Sequence, residues 1–247
     1  MLAAVRSLCL MLSTDQGFGW CSRAWQDRQV AGDEQGQGLL ASIAAPWRAA
    51  LQEGWAAFCA GNPPVGAVIT GPDGTVVAVG RNRREDRDGP AGQLAGTSLA
   101  HAEVNVFAQL SPGSYGDYIL WATLEPCPLC SAAAMSTGCG QVRFLAADPM
   151  WEGAGRLPEL SQSVAGRWPR FRGPEPGWPA SWQTMLSVAY QASRGNATSL
   201  AVTGRAAIAP DAARLGLALA SDPAGLSRLS ARTLSSALSY IQPLARW

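Results

Sequence analysis

Histidine is nearly missing from this sequence: there is one, His101, in 247 residues. Any imidazole chemistry must run through that position. Charge is sparse too, at 15% of residues with a net of +1, so no overall field draws the chain to nucleic acid and only a local basic patch stays open. No apolar run approaches the roughly 18 residues that a membrane span requires, and no membrane partner is expected. Six cysteines are too few and too irregular for a disulfide framework, with Cys9, Cys21, Cys59 and Cys139 lacking evident pairing. That usage fits a reducing compartment, and a cytoplasmic location is expected. Hydrophobic residues make up 47% of the chain, enough to bury a core for one globular domain with appendages.

What is present concentrates in two stretches, LAHAEVNVFAQL over 99–110 and LEPCPLC over 124–130. They supply an imidazole, a carboxylate and two thiols. Zinc favours four tetrahedral ligands of nitrogen and sulfur type, and a catalytic site takes three from protein and leaves the fourth position to water. His101, Cys127 and Cys130 make three, for one zinc per chain. Glu103 is then free to move protons between the water and a substrate nitrogen. Pro126 suits the first position of a helix, and cysteines three apart share a face of its first turn, where the helix dipole lowers thiol pKa values. A C-x-x-C pair alone would equally suit a structural zinc half-site or a redox pair, and a lone histidine is usually a packed or solvated side chain.

Residues 1–45 read as a poorly ordered leader. Met1 to Leu12 is apolar, but its positive start is thin and no good cleavage site follows, so it does not read as a signal peptide. Trp47, Leu51, Trp55 and Phe58 recur at helical spacing within 45–60. Val65 to Thr70 and Thr75 to Gly80 flank a Gly-Pro-Asp-Gly turn and predict an antiparallel hairpin. Arg81 to Gly96 is a charged loop whose acids largely cancel its arginines. Leu99, Glu103, Val106, Phe107 and Leu110 follow a helical repeat. His101 and Glu103 diverge by about 200° on an ideal helix, so both can serve one ion only near its first turn. Tyr118 to Thr123 reads as a strand, 126–137 as a helix and Gln141 to Ala146 as a strand parallel to the first. Beyond Asp148, a fifth strand is placed loosely near 166–172, and helices are expected over 181–194, 206–220 and 226–241. The expected divisions are a domain over 46–195 and a helical C-terminal extension over 196–247.

H-A-E followed by P-C-P-L-C resembles the signature of the cytidine and deoxycytidylate deaminase superfamily. The flanks extend the likeness: Asn62 to Ile69 resembles the family's first core strand, Gly80-Arg81-Asn82-Arg83 the end of its second, and Thr123 to Cys127 its third. The similarity covers roughly 46 to 150. It implies a three-layer α/β/α cytidine deaminase-like fold, with a mixed sheet of about five strands and helices on both faces. It further implies a zinc-dependent hydrolytic deaminase of a nucleobase, nucleoside or nucleotide, with Glu103 catalytic. Asn62, Ala67, Asn82, Ala102 and Pro126 are then expected around the substrate, with main-chain N–H groups near Ala67 and Cys127 holding the ring. The likeness implies a homodimer. A tRNA wobble adenosine deaminase is the alternative, which neutral net charge and the absence of a basic tail count against. A catalytically silent, zinc-stabilised interaction module is the reading from another class.

Overall fold

The computed structural model describes residues 34–245. Most of the expected leader, with Met1 to Leu12, lies outside the described residues. Its last part does not match the expectation of poor order, because Glu34–Ala41 forms a helix, α1, whose Leu40 is buried. Ala45–Cys59 follows as α2, started by Pro46 in its first turn, where the missing proline N–H costs nothing.

The hairpin is β1 (Gly66–Thr70) and β2 (Val76–Arg81), paired antiparallel. Next come a short helix, α3 (Ala102–Phe107), then β3 (Ile119–Leu124), α4 (Pro128–Thr137) and β4 (Gln141–Ala146). After 3-10 turns, a single-turn helix α5 (Gln162–Ala165) precedes β5 (Arg170–Arg172). The sheet order is β2-β1-β3-β4-β5, antiparallel from β2 to β3 and parallel from β3 to β5. This is a mixed five-stranded α/β sheet, as the sequence led us to expect.

Alternation along the strands sends side chains to two cores. Val68, Trp121 and Leu145 face one side with Trp47, Leu51 and Trp55 of α2. Ala67, Ile69, Leu120 and Val142 face the other with Ala102 and Val106 of α3 and Ala134 of α4. Gly66 lets α2 lie directly on β1: a Cβ there would stand 2.1 Å from the Ala50 carbonyl oxygen.

The C-terminal part is α6 (Trp178–Ser193), α7 (Leu200–Ile208), α8 (Pro210–Ser221), α9 (Pro223–Ser230) and α10 (Leu234–Ile241). Two expected helices each divide into two. Pro210 starts α8, and Thr233 caps α10 by accepting from the Ser236 N–H. Trp182, Met185 and Leu186 of α6 share one buried cluster with Trp55 of α2 and with Leu215, Leu229, Leu238 and Ile241 of α8 to α10. The expected boundary at 195/196 therefore runs through a continuous core. Among the described residues, no helix is long and apolar enough to cross a membrane.

Candidate active site

Two helix N-termini converge on the site. His101 is the N-cap of α3 and Cys127 the N-cap of α4, both in extended backbone just before the first turn. The sequence reading began these helices too early. Leu99 is exposed and lies outside α3, while Pro128, not Pro126, is the first residue of α4. The cap position removes the 200° difficulty, since His101 leaves the helical track that Glu103 follows. β3 delivers Cys127, and the Glu125 N–H donates to the Ala146 carbonyl at 2.8 Å, holding the strand exit against β4. Cys130 sits one turn into α4 and faces Cys127.

The three donor atoms meet. His101 Nδ1 lies 3.6 Å from Cys127 Sγ and 3.4 Å from Cys130 Sγ, and the two sulfurs are 3.6 Å apart. A tetrahedral ion held at about 2.3 Å by sulfur and about 2.0 Å by nitrogen keeps its ligands about 3.5–3.8 Å apart. The observed triangle fits that requirement, and an imidazole with two thiols is a donor set suited to zinc. Cys127 and Cys130 are buried, and His101 is the partly exposed corner.

The Cys127 thiol is lowered to about 4, chiefly by its hydrogen bond with Cys130 and further by His101. Cys130 is raised, by the same hydrogen bond and by burial beside Glu103. His101 is raised by its hydrogen bond with Cys127. Glu103 is 3% exposed, and burial holds its carboxyl above the ordinary value, opposed by the His101 imidazole. A carboxyl raised in this way is suited to carry a proton.

The residues expected around a substrate fall into two groups. Ala67 is buried in β1 between β2 and β3, Ala102 is buried in the first turn of α3, and Pro126 is buried directly before Cys127. Asn82 is buried at the end of β2, with Oδ1 accepting from the Arg84 N–H at 3.1 Å. Asn62 is committed to the protein. Its Oδ1 accepts from the Glu85 N–H at 2.6 Å, and its Nδ2 donates to Asp86 at 2.7 Å. Asp86 in turn binds Arg81 at 2.6 Å and Arg83 at 3.0 Å.

Sequence reasoning gave Asn105 no role, yet it is fully buried and holds the loop from inside. Its Oδ1 accepts from the Leu94 N–H, while Nδ2 donates to the Leu94 and Arg81 carbonyls. Nothing in its helical spacing marks it, because its partners are main-chain groups at the end of β2 and in the loop beyond. Asp148 was likewise passed over: its N–H donates to Glu125 at 2.9 Å, and its carboxylate meets Arg205 of α7.

Residues 44–146 match the family described as the cytidine and deoxycytidylate deaminase zinc-binding region. Over 117 residues the chain is 32% identical to a tRNA-specific adenosine deaminase of Bacillus subtilis, a match covering 46% of this chain and 67% of that one. Over 110 residues it is 36% identical to a tRNA(Ile)-lysidine synthase of Deinococcus radiodurans, covering 42% of this chain but only 17% of that much longer relative. A solved guanine deaminase from Bacillus subtilis aligns with a TM-score of 0.37 at 25% identity, covering 46% of this chain and 71% of that one.

Proposed function

This chain belongs to the cytidine and deoxycytidylate deaminase family, and on that premise we propose that it is a zinc-dependent hydrolytic deaminase acting on a nucleobase, nucleoside or nucleotide. The observation that carries the proposal is the convergence of His101 Nδ1, Cys127 Sγ and Cys130 Sγ at metal-ligand separations, two residues from a buried Glu103. Those three residues would hold one zinc ion. Zinc, when bound, supplies a Lewis acid that lowers the pKa of a nearby water.

The chain's own groups account for the proton movements. Glu103 takes a proton from the attacking water and returns it to the exocyclic nitrogen of the substrate. The carbon–nitrogen bond breaks, the water oxygen stays on the ring carbon as a carbonyl once its second proton has passed to the adjacent ring nitrogen, and ammonia leaves. Asn82 is the favoured polar contact to the ring, because among the described residues its Nδ2 has no hydrogen-bond partner. Asn62 acts at one remove, by fixing the loop at 83–96. Ala67, Ala102 and Pro126 wall the ring, and two copies of the chain associate. Thiol ligands suit a reducing compartment such as the cytoplasm.

A second reading, adenosine deamination within tRNA, is favoured by the 32% identity to the tRNA-specific enzyme. The test is ammonia release by zinc-loaded protein from cytosine, guanine, adenine and their nucleosides and nucleotides, with inosine formation in tRNA assayed in parallel. Turnover of one substrate, lost by roughly 10²–10⁴-fold in Glu103→Gln, is expected. Inosine in tRNA with no free substrate turned over selects the second reading. Tightly held zinc with no activity throughout overturns both in favour of an interaction module.

A further inference from the structure

The outer edge of the sheet carries a pattern that the catalytic reading does not use. Residues 160–174 contain three arginines, Arg167, Arg170 and Arg172, and no acid. All three are exposed. Arg167 reaches back only to Ser163, and among the described residues none of the three forms an ion pair. The flanking acids are committed elsewhere, Glu159 to Arg156 and Glu175 to Arg143. In a chain of net charge +1, this is a concentrated, uncompensated cationic segment.

The strand register sorts these side chains. Arg170 stands opposite Gln141, Phe171 opposite Val142 and Arg172 opposite Arg143. Val142 and Phe171 belong to the core under α3 and α4. Alternation therefore sends Arg170 and Arg172 to the other face, beside Arg143, which lies 4.5 Å over the Trp121 ring. On the Phe171 face, Trp168 stacks on Phe171 with centroids 5.6 Å apart, and both rings are partly exposed. β5 has no neighbour on its outer side among the described strands. The edge thus offers guanidinium groups on one face and stacked aromatic rings on the other.

A single nucleic-acid strand has the complementary division, with phosphates along one side and base faces along the other. Arginine suits phosphate through its planar, bidentate fork, and an aromatic ring accepts any base face. A duplex hides its base faces, and an acidic peptide offers none. We propose that the β5 edge is a docking surface for single-stranded nucleic acid. The metal ligands lie past the C-terminal ends of β3 and β4, whereas Arg170 pairs at the start of β4, roughly 16 Å away along that strand. A strand docked on this edge that also reached those ligands would have to span several nucleotides. This inference goes beyond the deaminase reading and does not depend on it.

The test is fluorescence anisotropy of the full zinc-loaded chain with a labelled single-stranded RNA of mixed sequence. The matching single-stranded DNA, the duplex and poly-glutamate serve as the other arms, over a range of salt. Single strands should bind best, weakening linearly in log Kd against log salt. Arg170→Ala with Arg172→Ala should weaken binding about tenfold or more at low salt and reduce the salt slope by about 1.4. Trp168→Ala should weaken single-strand binding about tenfold at an unchanged slope. The paired Arg170→Lys, Arg172→Lys variant should keep the slope, and matched thermal unfolding checks that all variants are folded. Glu103→Gln should bind as the parent does, which separates this result from the deaminase test. Absence of binding at low salt, indifference to the paired alanines, or equal binding of duplex or poly-glutamate overturns the proposal, the last in favour of a protein partner.

Discussion

Arg205 Nη2 lies 2.8 Å from Asp148 Oδ2, with both side chains buried at 4% and 6% exposure. This ion pair ties α7 to the segment leaving β4, and through the Asp148 N–H to Glu125, two residues before Cys127. Burial raises the Asp148 carboxyl and Arg205 opposes that rise. A carboxyl raised on folding contributes stability that is full below its unfolded value and fades as pH rises through its folded value. Arg205→Met removes the opposing charge and should cost about 3–5 kcal/mol near pH 7, shrinking as the pH falls into the carboxylate range. Denaturant unfolding at neutral and acidic pH reads this. Since Arg205 Nε has no partner, Arg205→Met with Asp148→Leu should recover most of the loss.

Gly216 on α8 faces α6 so closely that a Cβ would stand 2.5 Å from the Met185 carbonyl oxygen. Helix propensity alone would make alanine stabilising by about 1 kcal/mol. The contact should reverse that sign and give a net loss of about 1–3 kcal/mol. A thermal melt of Gly216→Ala decides it; a gain in Tm would mean that α6 and α8 are less tightly apposed than described.

Asn62 and Asp86 hold the same loop, so Asn62→Ala and Asp86→Ala should raise KM by similar factors, roughly tenfold, with kcat less affected. A direct substrate contact by Asn62 would instead make its effect much the larger. Steady-state kinetics on whichever substrate is turned over distinguishes the two.

Zinc removal should unsettle the two helix caps as well as abolish turnover. Metal analysis is expected to find about one zinc per chain. Cys130→Ala should lose it and lower Tm, and chelation of the parent should lower Tm similarly. Retention of a full equivalent by Cys130→Ala would place the ion elsewhere.

The convergence of His101, Cys127 and Cys130 was legible because ligand chemistry depends on residue type and order, which a sequence displays directly. The hairpin, the parallel β3 and β4 and the bounds of β4 were legible for a related reason: turn residues and β-branched runs act locally. Helix starts were misplaced, at Leu99 and Pro126, because the cap residues His101 and Cys127 keep extended backbone although the helix follows them directly. Asn105 and Asp148 stayed hidden because their roles exist only through partners 11 to 57 residues away in the chain. The expected 195/196 boundary followed the end of the helix expected over 181–194, whereas Trp182 of α6 and Leu238 of α10 belong to one core, which no local pattern records.

The solitary imidazole has a practical corollary. A protein with one histidine gives one set of ring resonances, so His101 is a built-in spectroscopic probe that needs neither assignment nor labelling chemistry. Ion loading, proton occupancy and ligand arrival at the partly exposed corner of the triangle should all be readable on that single signal.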